Sequence, residues 1–368
     1  MTYAIIWNRK KYEMINLEKC MKMLIYKEKC TMKKYFLPRN GNFYKANLHC
    51  HSTLSDGRKT PEEIKEIYQN KGYSVVAYTD HDILISHNEL TDDNFLALNG
   101  FEVEINEDKE ADWCNIECCH ICFISLTEDN ITHPLWHRSL YLFGNAPKYR
   151  DDVRFYENEP DYVRHYDCNT ITDMMKKGRE KGFFVTYNHP TWSQENYEDY
   201  IGYDGMNAME MFNGSCMAEG YEDYNPRVYD DTLRAGKKIY CIGADDNHNG
   251  YEMHSRRSDS GWAYTMIKTD KLEYRAITKA LENGEFYASE GPEIFELYYE
   301  DEKVYIKCSE ADRIICNYQI RKAEIVLSEN GIPVTEACFN APSNCGYFRI
   351  TVIDRHGKHA CTNAYFIE

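Results

Sequence analysis

The stretch from Lys45 to Asp82, KANLHCHSTLSDGRKTPEEIKEIYQNKGYSVVAYTDHD, admits few folds. It opens with a short apolar run ending in two histidines, His49 and His51. Successive strand side chains alternate faces, so both imidazoles reach one point beyond the strand end. Asp56 follows in Ser-Asp-Gly, a turn sequence able to fold its carboxylate back toward the same place. A helix comes next, with Thr60 as N-cap, Pro61 as first helical residue, Glu63 completing a capping box and Gly72 as the stop. Ser74 to Thr79 then reads as a second strand that delivers Asp80, His81 and Asp82 at its carboxyl end. Strand, helix, strand with polar groups at both strand ends predicts an α/β protein whose chemistry sits at the carboxyl edge of its sheet.

The same pattern recurs downstream. Phe95 to Ile105 reads as a strand with Glu102 and Glu104 on one face. Glu117 to Leu126 is the next, with Cys118, His120 and Cys122 sharing a face. Thr170 to Lys181 is a helix stopped by Gly182, and Phe183 to Asn188 is a strand leading into His189-Pro190. Ala208 to Phe212 is a short strand, and Pro226 to Ala235 is a helix closed by Gly236. Lys238 to Gly243 is a strand delivering Asp245, Asp246 and His248, and Leu272 to Asn283 is a helix stopped by Gly284. Residues 127–169 break the rhythm and read as an insertion or lid, with His133, His137 and His165 as lid residues rather than ligands. From Pro292 onward helical periodicity disappears. Alternating runs such as Glu296–Tyr299, Lys303–Lys307, Glu324–Leu327 and Tyr347–Ile353, with turns at Asn330-Gly331 and His356-Gly357, predict a small antiparallel β module. The expected organisation is an extension over 1–31 outside the fold, a main domain over 32–291 and the β module over 292–368.

Nine residues thus stand on or just after apolar strands: His49, His51, Asp56, His81, Glu102, His120, His189, Asp246 and His248. Burying so many polar groups is costly unless cations pair them. Imidazole plus carboxylate with no obligatory thiolate suits zinc, manganese or iron. Nine ligands exceed one tetrahedral site, so two or three clustered divalent ions are expected. Such a cluster can clamp a tetrahedral oxyanion while a metal-bridging hydroxide attacks. Asp80 is placed either to orient His81 or to hold a turn. Glu104 stands behind Glu102, and Tyr187 and Trp192 flank His189, where they stack on a substrate ring or pack the core. His254, Arg256 and Arg257 follow the last ligand and are the expected anion-binding cations. His356 and His359 read as structural.

Charge and cysteine usage narrow the partners. A net charge of −17 argues against a long nucleic-acid track but allows a small anion held by metal ions. The fifteen cysteines are odd in number and scattered, and the one C-x-x-C, Cys119 and Cys122, lacks the second half of a zinc ribbon, so reduced thiols are expected. No apolar run spans a bilayer and residues 1–31 do not read as an export signal, so no membrane partner and a cytoplasmic address are expected. No P-loop, Gly-x-Ser-x-Gly or dinucleotide fingerprint competes with the metal reading.

Over roughly residues 45–290 these motifs resemble the polymerase and histidinol phosphatase (PHP) superfamily. Its His-x-His and Ser-Asp-Gly motif matches His49, His51 and Asp56, and its Thr-Asp-His-Asp motif matches Thr79 to Asp82 with His81 as ligand. Its bridging glutamate falls on Glu102, its later single histidine on His120 and its His-Pro on His189-Pro190. Its closing Asp-x-His falls on Asp246 and His248, with Asp245 the alternative if register is taken from Gly243. The resemblance implies an α/β fold, a distorted (β/α)7 PHP barrel, around a two- or three-ion centre. It also implies one ion on His49, His51, Glu102 and Asp246, and a second shared through Glu102 with His81 and His120. Asp56, His189 and His248 complete the coordination. Asp56 stands where some family members carry histidine, and the Ser-Asp-Gly version is similar to members acting on nucleoside monophosphates or short oligonucleotides. Ala280 to Pro292 and the closing YFRITVIDRHGKHACTNAYFIE resemble PHP proteins related to carbaryl hydrolase, which carry a small C-terminal antiparallel β domain. Some of those cleave carboxyl or carbamate esters. The expected activity is hydrolysis of a small anionic phosphoester such as a nucleotide. An ester or amide hydrolase using the same metals is the second reading, and a metal-binding module without turnover is the third. Oligomeric state is left open.

Overall fold

A computed structural model describes residues 33–107 and 113–367; the 1–31 extension lies outside them. Strand β1 (Asn42–Asn47) leads into the His-x-His segment and α1 (Pro61–Asn70) follows. The capping box closes as the sequence predicts: the Thr60 hydroxyl accepts from the Glu63 N–H at 3.3 Å and the Glu63 carboxylate accepts from the Thr60 N–H at 2.9 Å. The chain continues through β2 (Val75–Tyr78), β3 (Leu96–Asn106), β4 (Cys118–Ser125), α2 (Cys168–Glu180) and β5 (Phe183–Tyr187). Next come β6 (Ala208–Asn213), α3 (Pro226–Arg234), β7 (Tyr240–Ala244), β8 (Tyr264–Thr269), α4 (Tyr274–Asn283) and β9 (Phe286–Ser289). Helix α2 starts two residues before the expected Thr170, because the Asp167 carboxylate accepts from the N–H groups of Asn169 and Thr170 and acts as N-cap.

The sheet order is β7-β6-β5-β4-β3-β2-β1-β8-β9. Strands β1, β2 and β3 run parallel, as do β5, β6 and β7. Strand β4 is antiparallel to both neighbours, β3 and β5. Regular (β/α)7 alternation is therefore not what the chain adopts: β3 and β4 pair antiparallel, and the described residues between them form only a 3₁₀ turn at Trp113–Asn115. The extensions of β1 and β7 meet. Asp246 N–H donates to the His49 carbonyl at 3.0 Å and His51 N–H donates to the Asn247 carbonyl at 3.1 Å. One apolar cluster draws on every one of these strands, from Ala46 and Leu48 through Leu98, Ile124, Phe184 and Ala208 to Ile242, with Ile277 and Leu281 of α4 beneath it.

After Pro292 the described chain is strand and turn apart from a short 3₁₀ turn at Ser343–Cys345: β10 (Ile294–Glu300), β11 (Lys303–Ala311), β12 (Arg313–Tyr318), β13 (Ala323–Leu327), β14 (Val334–Asn340), β15 (Tyr347–Ile353) and β16 (His359–Thr362). All their pairings are antiparallel, as expected. These strands do not stand apart from the main sheet. Strand β16 pairs with β9, so the large sheet runs on through β16, β15, β12 and β13, while β10, β11 and β14 form a second sheet with Lys34–Tyr35. Buried Arg349 of β15 clamps Asp230 of α3 at 2.8 and 2.9 Å. Among the described residues, no helix is long and apolar enough to cross a membrane. The described cysteines form no disulfide with one another.

The insertion over 127–169 is packed against the two loops that carry the first motifs. Trp136, Ala146 and Val153 bury themselves against Leu54 and Ile83, while Leu135 joins the core that holds Phe101 and Phe123. Buried Arg164 makes a bidentate ion pair with Asp82. His133 is buried against the Phe101 ring, His137 accepts the N–H groups of Ser139 and Leu140, and His165 is exposed.

Candidate metal centre

Strict alternation builds the inward face of the site. On β3, Phe101, Val103 and Ile105 join the outer core while Leu96 and Leu98 point inward, so Glu102 and Glu104 continue the inward row. On β4, Cys119, Ile121 and Phe123 face outward and Ile124 inward, which puts His120 and Cys122 inside. The same parity places Asn188 after Phe184, Glu210 after Ala208 and Asp246 after Ile242. Apolar side chains thus fill one end of the inward face, and polar ones take over at the other, which is the carboxyl end of the parallel strands and the amino end of the reversed β4.

All nine expected residues meet there. His49 Nε2 lies 3.1 Å from His51 Nε2, 3.1 Å from Glu102 Oε1 and 3.2 Å from Asp246 Oδ1. His51 Nε2 lies 3.2 Å from Glu102 Oε2 and 3.1 Å from Asp246 Oδ1. His120 and His81 approach the two Glu102 oxygens at 3.3 and 3.5 Å. His189 Nε2 stands 3.6 Å from both Glu102 and Asp246. At the half-buried mouth His248 Nε2 lies 3.3 Å from Asp56 Oδ2. His49, His51, Glu102 and Asp246, the first set the resemblance implies, thus stand together, and other sets of candidate ligands overlap them. His81 closes with His51, Asp56 and His248, whereas His120 closes with Glu102 and His189, and His49 with His189 and Asp246. The His81 and His120 rings stand edge-on with centroids 5.7 Å apart.

These spacings fit bound cations. Two ligands on one ion, each about 2.0–2.1 Å from it at angles of roughly 90–110°, sit about 2.8–3.4 Å apart. Buried Asp246 Oδ1, His81 Nδ1 and His120 Nε2 have no hydrogen-bond partner, which is what a site awaiting a cation leaves behind. Electrostatics agree. Burial opposes charge on His49 and His51, yet Asp246, Glu102 and their other acidic neighbours hold both imidazoles well above the usual histidine range. Burial would likewise raise Glu102 and Asp246, but the surrounding histidines hold both below the ordinary carboxylate range. Burial, with the nearby His51, pushes His81 down to about 3. The carboxylates stay ionised and require positive charge beside them.

Supporting residues fix the orientation of this set. Glu210, fully buried in the apolar strand AMEMF, accepts from His49 Nδ1 at 2.8 Å, from the His189 N–H at 3.0 Å and from Asn213 at 2.9 Å. With its Nδ1 proton so engaged, a His49 ring that holds a cation would do so through Nε2. Asn188 donates to Glu102 Oε1 at 2.9 Å. The sequence reading passed over both, although a lone carboxylate on the inward row of a buried strand was a usable signal. Asp80 makes no bond to His81. Its carboxylate accepts from the N–H and hydroxyl groups of Ser52 and Ser55 at 2.7–3.0 Å, so it holds the turn that carries Asp56. Asp246 is the aspartate facing the cluster, because the Asp245 carboxylate is taken up by the Tyr68 hydroxyl and the N–H groups of Gly261, Trp262 and Ala263.

A cavity of about 910 Å³ opens over the cluster. Asp56, His81, Glu102, His120, His189, Asp246 and His248 line its floor, and Tyr141, Leu142, Phe143 and Trp192 form an aromatic and apolar wall. Trp192 stands edge-on to His120 and His189, whereas Tyr187 is buried elsewhere with its hydroxyl on Glu195 at 2.7 Å. Glu104 lines the cavity and accepts from Asn106. The three expected anion-binding residues do not line it: His254, Arg256 and Arg257 are exposed, and Arg257 lies over the Tyr251 ring instead. Their loop turns outward after Asn249, whose N–H and that of His248 donate to Asp259. The cavity's arginine is Arg58. His359, outside the site, bonds Glu290 at 3.0 Å, and His356 is exposed.

No family model and no curated protein matches the chain. Solved structures of similar course do exist. A two-domain protein from Bacteroides vulgatus containing a predicted PHP-like metal-dependent phosphoesterase is similar over 91% of this chain and 98% of its own, at 16% identity and TM-score 0.43. A protein from Bifidobacterium adolescentis described as a metal-dependent phosphoesterase is similar over 57% of this chain and 89% of its own, at 14% identity and TM-score 0.37. An amidohydrolase from Chromobacterium violaceum, with bound sulfate and no metal, is similar over 55% and 87%, at 16% identity and TM-score 0.37.

Proposed function

We propose that the chain is a PHP-type metal-dependent hydrolase of small phosphoesters, with β1 to β7 wrapped as a distorted barrel that the His49–Asp246 and His51–Asn247 backbone bonds draw shut. One observation carries this reading: nine imidazoles and carboxylates, on or just after six strands, converge with the atom spacing of cation ligands. Two or three zinc, manganese or iron ions held there would supply Lewis acidity toward a phosphoryl group and lower the pKa of a water.

The chain's own residues do the rest. His49, His189 and Asp246 form one donor set, His51, Asp56, His81 and His248 a second, Glu102, His120 and His189 a third, and His49, Glu102 and Cys122 a fourth. Glu102 also sits within 3.6 Å of His49, His51, His81, His120 and His189, so its carboxylate ties the sets together. Glu210 and Asn188 lock the orientation of His49 and Glu102. The Phe143 and Trp192 side chains line the cavity beside the cluster. A chain of net charge −17 suits a small anionic substrate better than a long nucleic acid.

Hydrolysis of a carboxyl or carbamate ester is the second reading, favoured by the apolar stretch Tyr141 to Phe143 on the cavity wall. Manganese-supplemented turnover of 4-nitrophenyl phosphate beside 4-nitrophenyl acetate separates the two, with His49→Ala and His248→Ala as controls. Phosphate release abolished by both substitutions is expected. Ester cleavage alone, equally dependent on both histidines, would transfer the assignment to the second reading.

A further inference from the structure

We infer that Arg58, at the mouth of the cavity, is the anion-recognition residue of this site and that Phe143 beside it selects phosphoesters whose leaving group carries a flat ring. The inference rests on the phosphoesterase reading above. Among the described residues lining the cavity, Arg58 is the one lysine or arginine. Its backbone is firmly placed: the Arg58 N–H donates to the His248 carbonyl at 2.8 Å. A Cβ on the preceding Gly57 would come within 2.4 Å of the His51 carbonyl oxygen, so only glycine allows the chain to turn this tightly behind the cluster. Arg58 is thereby rooted between Asp56 and His248.

Its guanidinium is exposed and makes no ion pair or hydrogen bond with any described residue. Arg138, Arg164, Arg227 and Arg349 are each taken by an aspartate, and the exposed Arg256 and Arg257 lie off the cavity, so Arg58 is the arginine both unpaired and on the lining. A planar fork of five donors beside a cation-binding cluster suits a phosphate, whose non-bridging oxygens can face both.

Phe143 lies on the same side of the cavity. Its ring stands 4.4 Å from the His81 ring, centroid to centroid, and 37% of the residue stays open to solvent. The turn after it is pinned to the Asp56 loop. Asn145 N–H donates to the Ser55 carbonyl at 2.7 Å, and at Gly144 (φ +60°) a Cβ would approach that oxygen to 2.6 Å. Phe143 therefore forms a fixed wall, and a ring attached to a phosphate held between the cluster and Arg58 can rest on it. In the reaction the water oxygen bonds to phosphorus as the ester P–O bond breaks. The leaving oxygen takes a proton from that water, giving an alcohol and inorganic phosphate, and Arg58 is unchanged.

The test uses the metal-loaded full chain, its metal content checked by elemental analysis, with 4-nitrophenyl phosphate and adenosine 5′-phosphate as ring substrates and glycerol 3-phosphate as the ringless one. Arg58→Gln is expected to raise KM about 10–100-fold for all three with kcat little changed, and to weaken inorganic phosphate binding in calorimetry by a similar factor. Arg58→Lys should recover part of both, and Phe143→Ala should raise KM for the ring substrates alone. Unchanged phosphate affinity in Arg58→Gln would overturn the assignment of Arg58, and equal effects of Phe143→Ala on ring and ringless substrates would overturn ring selection. Absence of phosphate release from wild type, or undiminished release by His49→Ala, would instead sink the phosphoesterase reading, and calorimetry with phosphate still judges Arg58.

Discussion

Replacing Glu210 by glutamine changes one acceptor atom and almost no volume, which makes its consequence easy to reason through. Glu210 Oε1 accepts from His49 Nδ1, and Oε2 accepts both the His189 N–H and the Asn213 amide. In Glu210→Gln the amide oxygen must keep the Oε2 place, because two N–H donors point at it. The new NH2 then faces His49 Nδ1, which can only accept. The ring proton moves to Nε2, 3.1 Å from Glu102 Oε1 and 3.2 Å from Asp246 Oδ1. There it bonds the carboxylates in the cation-free protein and blocks the lone pair a cation needs. Lost ligand-orienting partners of this kind cost about 10–100-fold in metal affinity, which is about 1.4–2.7 kcal/mol. Titrating manganese or zinc calorimetrically into chelator-treated protein reads this directly, with thermal melting of the cation-free variant as a check on the fold. First-cation affinity equal to wild type, in a variant that melts normally, would refute the tautomer argument. Glu210→Ala should behave differently, because it strands buried donors at about 1–3 kcal/mol each and lowers stability outright.

Arg164→Met leaves Asp82 buried without its partner and should cost about 3–5 kcal/mol in urea unfolding; a loss below about 1 kcal/mol would mean the insertion is not anchored by this pair. Burial pushes Glu195 up to about 7 from an ordinary 4.5, despite hydroxyl bonds from Tyr203, Tyr187 and Tyr166. A carboxyl raised by folding stabilises fully below its unfolded value, and that contribution fades as pH rises through 7, about 3 kcal/mol in all. Glu195→Gln should therefore lose less stability than wild type between pH 4.5 and 8, and equal losses by denaturant midpoint would count against this. Cations that bind only the folded chain stabilise it by mass action, about 2.7 kcal/mol at a hundredfold excess over Kd. Chelator treatment should accordingly lower the melting temperature and manganese should restore it, whereas a melting temperature indifferent to both would argue that the cluster holds no cation.

Much of this protein was determined within short windows of its sequence. A capping box needs four residues, a strand's facing needs two, and a strand-end histidine needs only the run before it, so Thr60 with Glu63 and all nine cluster residues could be read locally. The antiparallel course of β4 was also within reach: the link from Asn106 to Cys118 is shorter than the dozen or more residues a parallel crossover usually takes. Tertiary structure alone decided the rest. Arg58 and Arg257 each follow a cluster residue on a loop, Asp56 and His248, and the outward turn held by Asp259 separates the one lining the cavity from the one over Tyr251. Glu210 acquires its meaning from His49, 161 positions away. The sets His51 with His248 and His120 with His189 depend on how far the sheet curls before the extensions of β1 and β7 meet. Facing and capping are short-range sterics and hydrogen bonding, whereas which polar groups share a cation is set by the packing of the whole apolar interior beneath them.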